Sequence, residues 1–422
     1  AGAAGLPQLQ AGRALASAAD LAVGARFRVP HHGRAHVLGP GEEPPQQPQR
    51  GLSVAVLGAS GIMGRQIAAS LAANLRRMAG VESPTLQLVG RRKGQGAGML
   101  ISLCSEFRDA YEEVCPNFEV LLDLEQVQAD IIIMCAGATL SKEFKAEAEV
   151  TRANLEIFDE HAAALAAKNP RALVLVVSNP VEFGVDAFVN AGFDPQRVIG
   201  TGAFLQTMRF RREVASEIGV PRQHLSGLVL GRHGLGMVPI WSSVQLAPHA
   251  ATAEAVAKLE QLREQGLARL PLDVEVLRPL AVQLRELTQE GQALAASALV
   301  NKQPPEFRAV LRRYLTFFSG PPFARVGNAE AVCRLVGDIL SGSSSFTAAQ
   351  VCLAGEFQGI SGVTGAPVVV SSQGAAVWPM ELAPQEAEAL RASAEGSSEL
   401  KRAASAIKAF RRALSAGGQP KV

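Results

Sequence analysis

Glycines at 58, 61 and 64 stand between an apolar run and a helix-like pattern: VAVLGASGIMG (54–64), then Gln66-Ile67-Ala68-Ala69-Ser70-Leu71. A chain turning there offers backbone N–H groups and the positive end of a helix to an anion, the chemistry of pyrophosphate binding. The G-x-x-G-x-x-G spacing also suits a turn that needs small residues for packing. The strand-like run before it and another at 85–89 favour the phosphate. A second chemically able residue is His233, in Gly231-Arg232-His233-Gly234 after the apolar run 225–230. An imidazole in a glycine-flanked turn can exchange a proton near neutral pH. The other histidines, at 31, 32, 36, 161, 224 and 249, have no acidic or cysteine partners at ligand-like spacing, so no metal site is expected.

The chain that must position these groups has 422 residues, 48% of them hydrophobic, enough for a substantial core and most simply two domains. A formal charge of +2 gives no reason to expect nucleic acid as a partner. Cys104, Cys115, Cys135, Cys333 and Cys352 form no C-x-x-C pair and sit mostly in apolar runs, which fits reduced core thiols. No uninterrupted apolar stretch reaches membrane-spanning length, so a soluble protein with no membrane partner is expected. Residues 1–50 are rich in Ala, Gly, Pro and Gln and read as a flexible extension, with a short helix near 14–21. Their acid-poor, Arg- and Ala-rich makeup also suits an organellar targeting remnant. A cytoplasmic location is expected, with mitochondrial matrix or chloroplast stroma as alternatives.

Between 51 and about 203, strand-like runs (54–57, 86–89, 118–121, 130–135, 173–177, 197–199) alternate with helical patterns at 66–78 and 154–168. Several strands are apolar throughout, as when helices cover both sheet faces. The expected fold is therefore α/β: a doubly wound parallel sheet with ligand groups at its C-terminal strand ends. Residues 204–414 make a second domain, with a helix at 204–218, strands at 225–230 and within 346–380, and a closing helix at 383–414. Inside it, 251–315 reads as an almost wholly helical insertion whose prolines argue against a coiled coil, and 415–422 as a flexible tail.

Six motifs in order make the chain resemble the lactate and malate dehydrogenase family, closest to malate dehydrogenase-like members. They are VAVLGASGIMG, ADIIIMCAGA (129–138), VVSNPV (176–181), VIGTGAFLQTMRFR (198–211), GRHG (231–234) with Trp241-Ser242, and GISGVTGAPVVV with WPMELAPQE near the C-terminus. The resemblance implies a Rossmann-type nucleotide domain with a C-terminal α+β substrate-binding domain, a homodimer or homotetramer, and a small 2-hydroxy or 2-oxo acid as substrate. It makes His233 the proton donor and acceptor, Arg209 the carboxylate clamp, and Asn179 a hydrogen-bonding group near the reacting carbonyl and nicotinamide. Alone, Arg209 in its arginine-rich run reads as a solvated helix face, and Asn179 before Pro180 as a strand end. The coenzyme would lie against Gly58, Ser60, Gly61, Ile62, Met63, Gly64, Gly90, Arg91, Arg92, Ala136, Gly137 and Asn179.

Three departures from the family pattern set further expectations. Gln206 occupies the place of the acid that partners the histidine, which predicts a weakened proton relay. The loop after Ala138 carries Lys142 and Lys145 but no arginine until Arg152, so these lysines and Arg232 become the substrate-binding candidates. At the end of the second strand Gly90 replaces the ribose-binding acid and Arg91-Arg92-Lys93 follow, which points to NADP, with NAD as the alternative. The leading expectation is an NAD(P)-dependent oxidoreductase acting on malate/oxaloacetate. The alternative is an impaired homologue kept as a structural or regulatory subunit.

Overall fold

The computed structural model of the chain describes residues 27–29, 51–81, 83–92, 94–139, 147–319, 324–342 and 344–396. The short helix expected at 14–21, the histidines at 31, 32 and 36, Lys93, Lys142, Lys145 and the chain beyond 396 lie outside the described residues. In order come β1 (Phe27–Val29), β2 (Ser53–Leu57), α1 (Ile62–Ala79), β3 (Thr85–Val89), α2 (Gly96–Tyr111), β4 (Asn117–Leu121), β5 (Ile131–Met134), α3 (Glu147–Ala166), β6 (Leu173–Val176), α4 (Val181–Asn190) and β7 (Val198–Gly200). Then follow α5 (Gly202–Ile218), β8 (Leu225–Gly231), β9 (Met237–Leu246), α6 (Ala253–Ala268), α7 (Val274–Gln289), α8 (Ala293–Asn301), α9 (Pro305–Leu311), α10 (Arg325–Leu340), β10 (Ser345–Ala354), β11 (Ser361–Ser371), β12 (Gly374–Val377) and a last helix, α11, over 384–396.

One ten-stranded sheet runs β1-β4-β3-β2-β5-β6-β7-β10-β11-β12. Its parallel middle, β4 to β7, has the doubly wound order, so the crevice for a ligand opens where β2 and β5 diverge, at Gly58 and Ala136. Strand residues alternate between two apolar layers. Val54 and Val56 face α1, α2 and α10, while Ala55 and Leu57 face α3 and α4. Burial on both sides explains strands with no polar alternation. Two features depart from the simple two-domain expectation. Phe27–Val29, within the segment read as flexible, pairs antiparallel with β4 as an edge strand. The C-terminal strands β10 to β12 also extend the nucleotide sheet antiparallel through β7, rather than forming a sheet of their own.

The second sheet is the β8–β9 hairpin. Its outer face packs with α5 and the insertion helices α6 to α9 into a separate core around Trp241, whose ring stands edge-on to Phe210 at 5.0 Å. The helical insertion expected at 251–315 is four helices ending in a 3-10 segment, Arg312–Ser319. Among the described residues no helix is long and apolar enough to cross a membrane.

Candidate functional site

The glycine turn closes on itself. The amides of Gly58 and Ala59 both donate to the Val89 carbonyl, and that of Gly61 to the Gly58 carbonyl, so the donors left for an anion are those of the first turn of α1. That helix starts without a side-chain cap and without an acid in its first turn. Gly58 has φ +79°, and a Cβ there would come 2.6 Å from Ala136 Cα; a Cβ on Gly64 would come 2.2 Å from the Gly58 carbonyl oxygen. Only glycine fits at either place, and the backbone surface it leaves suits a pyrophosphate. Ser60 Oγ lies beside Gly90 at the end of β3. A Cβ on Gly90 would meet Leu100 Cδ1 at 2.8 Å, so a side chain there has to turn the end of that leucine aside. Arg91 and Arg92 are exposed; Arg92 pairs with Asp123 at 3.0 Å, and Arg91 pairs with no carboxylate among the described residues.

On the far side of the crevice, Asn154 is a residue that sequence reasoning missed. Buried in α3, it accepts from the Ala138 amide (2.6 Å) and donates to the Ala138 and Asn179 carbonyls (3.1 and 2.7 Å). Ser178 Oγ donates to the Ala136 carbonyl at 2.8 Å. Together they bind the Ala136-Gly137-Ala138 turn to the end of β6 and leave the Asn179 side chain exposed at the crevice edge.

Helix α5 starts directly after β7 and carries Gln206 and Arg209 one turn apart. Gln206 Nε2 donates to the Gly234 carbonyl at 3.1 Å, while its buried Oε1 meets no donor among the described residues. The His233 turn joins β8 to β9, with Gly231 at φ +80° and Gly234 at φ +97°. Ser393 of α11 holds that turn shut, accepting from the Arg232 amide (2.9 Å) and donating to the Gly236 carbonyl (2.6 Å). Glu386 fastens the same helix to β9 through the Ser242 amide and hydroxyl. The His233 amide donates to Glu182 Oε1 at 2.6 Å. Glu182 is a second residue absent from the sequence reading: burial raises its carboxyl to about 7 against the opposing pull of the His233 amide and Arg232.

The His233 ring leans on Gly202, where a Cβ would come 2.5 Å from Nδ1, and Nδ1 is buried outside hydrogen-bond geometry. Burial, then the charges of Arg313 and Arg209, push its pKa down to about 3, so the resting ring is neutral rather than poised near pH 7. Burial and the charge of Arg313, then Arg212, lower Arg209 to about 9. Among the described residues no carboxylate pairs with Arg209. A half-buried guanidinium in that state is a place for an anion. His233, Arg209 and Gln206 are thus brought together. Arg232 turns back over its own loop, its Nε 2.8 Å from where a Gly236 Cβ would stand, and acts on Glu182 rather than on His233.

A cavity of about 980 Å³ between α1, α2 and the start of α10 is bordered by Ile62, Arg65, Gln95 and Arg325; neither His233 nor Arg209 reaches it.

The family model described as lactate/malate dehydrogenase, NAD binding domain, matches residues 52–200. An L-lactate dehydrogenase of Gloeobacter violaceus is 33% identical over 144 residues, 32% of this chain and 43% of that protein. A malate dehydrogenase of Chloroherpeton thalassium is 37% identical over 117 residues, 28% of this chain and 37% of that protein. These matches therefore span less than half the length of those two relatives. Among solved structures, the lactate dehydrogenase of Eimeria maxima with NADH and oxamate superposes with a TM-score of 0.64 at 16% identity, covering 87% of this chain and 98% of that one.

Proposed function

We propose that this chain, whose residues 52–200 match the lactate/malate dehydrogenase NAD binding domain, is an oxidoreductase acting between a nicotinamide coenzyme and a small 2-hydroxy or 2-oxo carboxylate, malate/oxaloacetate in first place. The observation that carries the reading is Arg209, without a carboxylate partner among the described residues, on the same helix whose first residue, Gly202, seats the His233 ring. When bound, the coenzyme supplies or accepts the hydride. Arg209 receives the substrate carboxylate in two parallel hydrogen bonds, which fixes the reacting carbon. His233 gives a proton to the 2-oxo oxygen in reduction and takes one from the hydroxyl in oxidation; Asn179 donates to the same oxygen. A bound carboxylate cancels part of the positive field on His233 and raises its proton affinity when the proton is needed. Gln206 positions the turn but has no charge with which to steady the imidazolium. The proton step is correspondingly weaker than a carboxylate would make it.

The test is a panel of 2-oxo acids offered to the purified protein with NADPH and with NADH. Turnover of at least one acid is expected. Coenzyme and acid binding without turnover would favour the impaired, structural member of the family instead.

Gly202 gives a sharper check. Gly202→Ala pushes the imidazole off its seat, and kcat/KM falls by roughly 10²-fold, the cost of misplacing a catalytic group by about 1 Å. Coenzyme binding, measured separately by fluorescence titration, stays within about 3-fold because the glycine turn is elsewhere in the crevice. A fall of less than threefold in kcat/KM would show that the ring does not depend on that seat.

For the coenzyme we propose NADP. Gly90 supplies no acid to the adenosine ribose, and among the described residues Arg91 is the exposed cation beside it that Asp123 does not already hold. Arg91→Ser is expected to weaken NADPH roughly tenfold or more, while NADH changes less than about twofold, since only NADPH carries the 2′-phosphate. Equal effects on the two coenzymes in a binding titration would reject the assignment.

A further inference from the structure

Helix α5 carries two acids beyond Arg209, and the end of the helical insertion holds both. Glu213 is buried, and both of its carboxylate oxygens are taken. Oε1 accepts from Arg212 Nε and Nη2 (2.9 and 2.6 Å) and from Arg312 Nε (2.8 Å). Oε2 accepts from Arg312 Nη2 (2.9 Å) and Arg308 Nε (3.2 Å). Arg308 Nη2 also donates to Glu217 Oε2 (2.6 Å) and to the Glu213 carbonyl (3.3 Å). The two insertion arginines are steadied from behind, Arg308 by the Gln303 carbonyl (3.0 Å) and Arg312 by Asn301 Oδ1 (3.1 Å).

Gln206, Arg209 and Glu213 follow one another at three and then four residues, so they form a single stripe along α5. Gln206 meets the Gly234 carbonyl of the His233 turn and Glu213 meets the insertion, which places Arg209 between the two. Side chains on a helix lean toward its N-terminus, so Glu213 leaves the backbone in the direction of the turn that carries Arg209. At four residues' separation an arginine and a glutamate are within reach of an ion pair. None forms here. Glu213 is drawn to Arg308, Arg312 and Arg212, and among the described residues no carboxylate pairs with Arg209. Burial alone would raise the Glu213 carboxyl, but the hydrogen bond of Arg312 and the charge of Arg212 bring it below the usual value, so the acid is ionised. An ionised carboxylate one turn away is the internal competitor of any carboxylate that Arg209 is to bind.

We propose that Arg308 and Arg312 are positioning residues of this site: they hold Glu213 against the insertion and so keep Arg209 open to the carboxylate of a 2-oxo or 2-hydroxy acid. Both act through the acid they engage, without touching the substrate. The assignment rests on the dehydrogenase reading above. It gives the helical insertion, outside the matched residues 52–200, a part in substrate binding.

The experiment titrates the full chain, saturated with NADPH or NADH, with the unreactive anions oxamate and hydroxymalonate by calorimetry. In Arg308→Gln/Arg312→Gln the buried Oε2 loses both donors and Glu213 turns to Arg209, so the dissociation constants rise roughly 10- to 100-fold, the worth of a charged hydrogen bond. Adding Glu213→Gln to that pair removes the competitor and regains roughly tenfold or more. The tie between the insertion and α5 is broken with or without Glu213→Gln, so a merely structural role would weaken binding in both alike. Thermal unfolding shows that each variant is folded at the titration temperature. Where the double substitution is too unstable, Arg312→Gln alone, which takes one donor from each oxygen, is compared with and without Glu213→Gln. Equal weakening with and without Glu213→Gln, or no weakening when the arginines are replaced, overturns the role of Arg308 and Arg312 and leaves the dehydrogenase reading standing. Binding of neither anion by the unsubstituted chain overturns both.

Discussion

Replacing His233 by glutamine lowers turnover by roughly 10²- to 10⁴-fold in both directions, the range that positioned proton transfer contributes. Glutamine keeps a polar group of similar size but cannot exchange a proton. Coenzyme binding, read by fluorescence, should be little altered, because the glycine turn and Asn154 hold that side of the crevice independently. The sign of the pH dependence follows from the neutral resting ring, with its pKa at about 3. Oxidation needs the neutral ring, which is present throughout the neutral range, so kcat/KM for the 2-hydroxy acid is flat there and its acid limb lies well below an ordinary histidine's. Reduction needs the protonated ring, which grows scarcer tenfold per pH unit above its pKa, so kcat/KM for the 2-oxo acid falls as pH rises. Turnover indifferent to His233→Gln would remove His233 from the proton step.

Arg209→Gln is the other large effect. Two charge-assisted hydrogen bonds to a half-buried carboxylate are worth about 1.5–3 kcal/mol each, so kcat/KM drops roughly 10²- to 10⁴-fold. Arg209→Lys recovers only part of this, because a point charge cannot reproduce the planar fork. The substitution has a second, separable consequence. Arg209 is one of the charges holding His233 neutral, so removing it raises the histidine's pKa and moves the acid limb of the oxidation profile upward. A merely structural arginine would lower activity without moving that limb. Retention of kcat/KM within tenfold in Arg209→Gln would end the carboxylate-clamp assignment.

The doubly wound half was legible because its strands are apolar on both faces and its glycine turn is punctuated by residues with few other uses. Helices α2, α4 and α10 were not. The first opens on Gly96-Ala97-Gly98, the second directly after Pro180 and the third after a proline-rich stretch, so composition at their starts argues for loops. Their faces are fixed by packing on the sheet, a tertiary matter. At the site, His233 stood out by its glycines and Arg209 by family likeness. Glu182 and Asn154 carried no local signal, because each acts on a residue at least 16 positions away, through contacts that only the fold creates. The resting state of His233 carried no local signal either: a histidine able to exchange a proton near neutral pH is all that its sequence shows, while the burial and the charges of Arg313 and Arg209 that lower its pKa come from the fold.

Leu100 ties the end of β3 to the packing of α2. It is fully buried in the sheet-side core, and its Cδ1 stands 2.8 Å from where a Cβ on Gly90 would begin. A side chain added at 90 therefore turns the end of that leucine aside, and the cost of an aspartate there is set by how readily the α2 face repacks around it. What the strand end can carry is decided inside the helix layer, not at the surface where an acid would act.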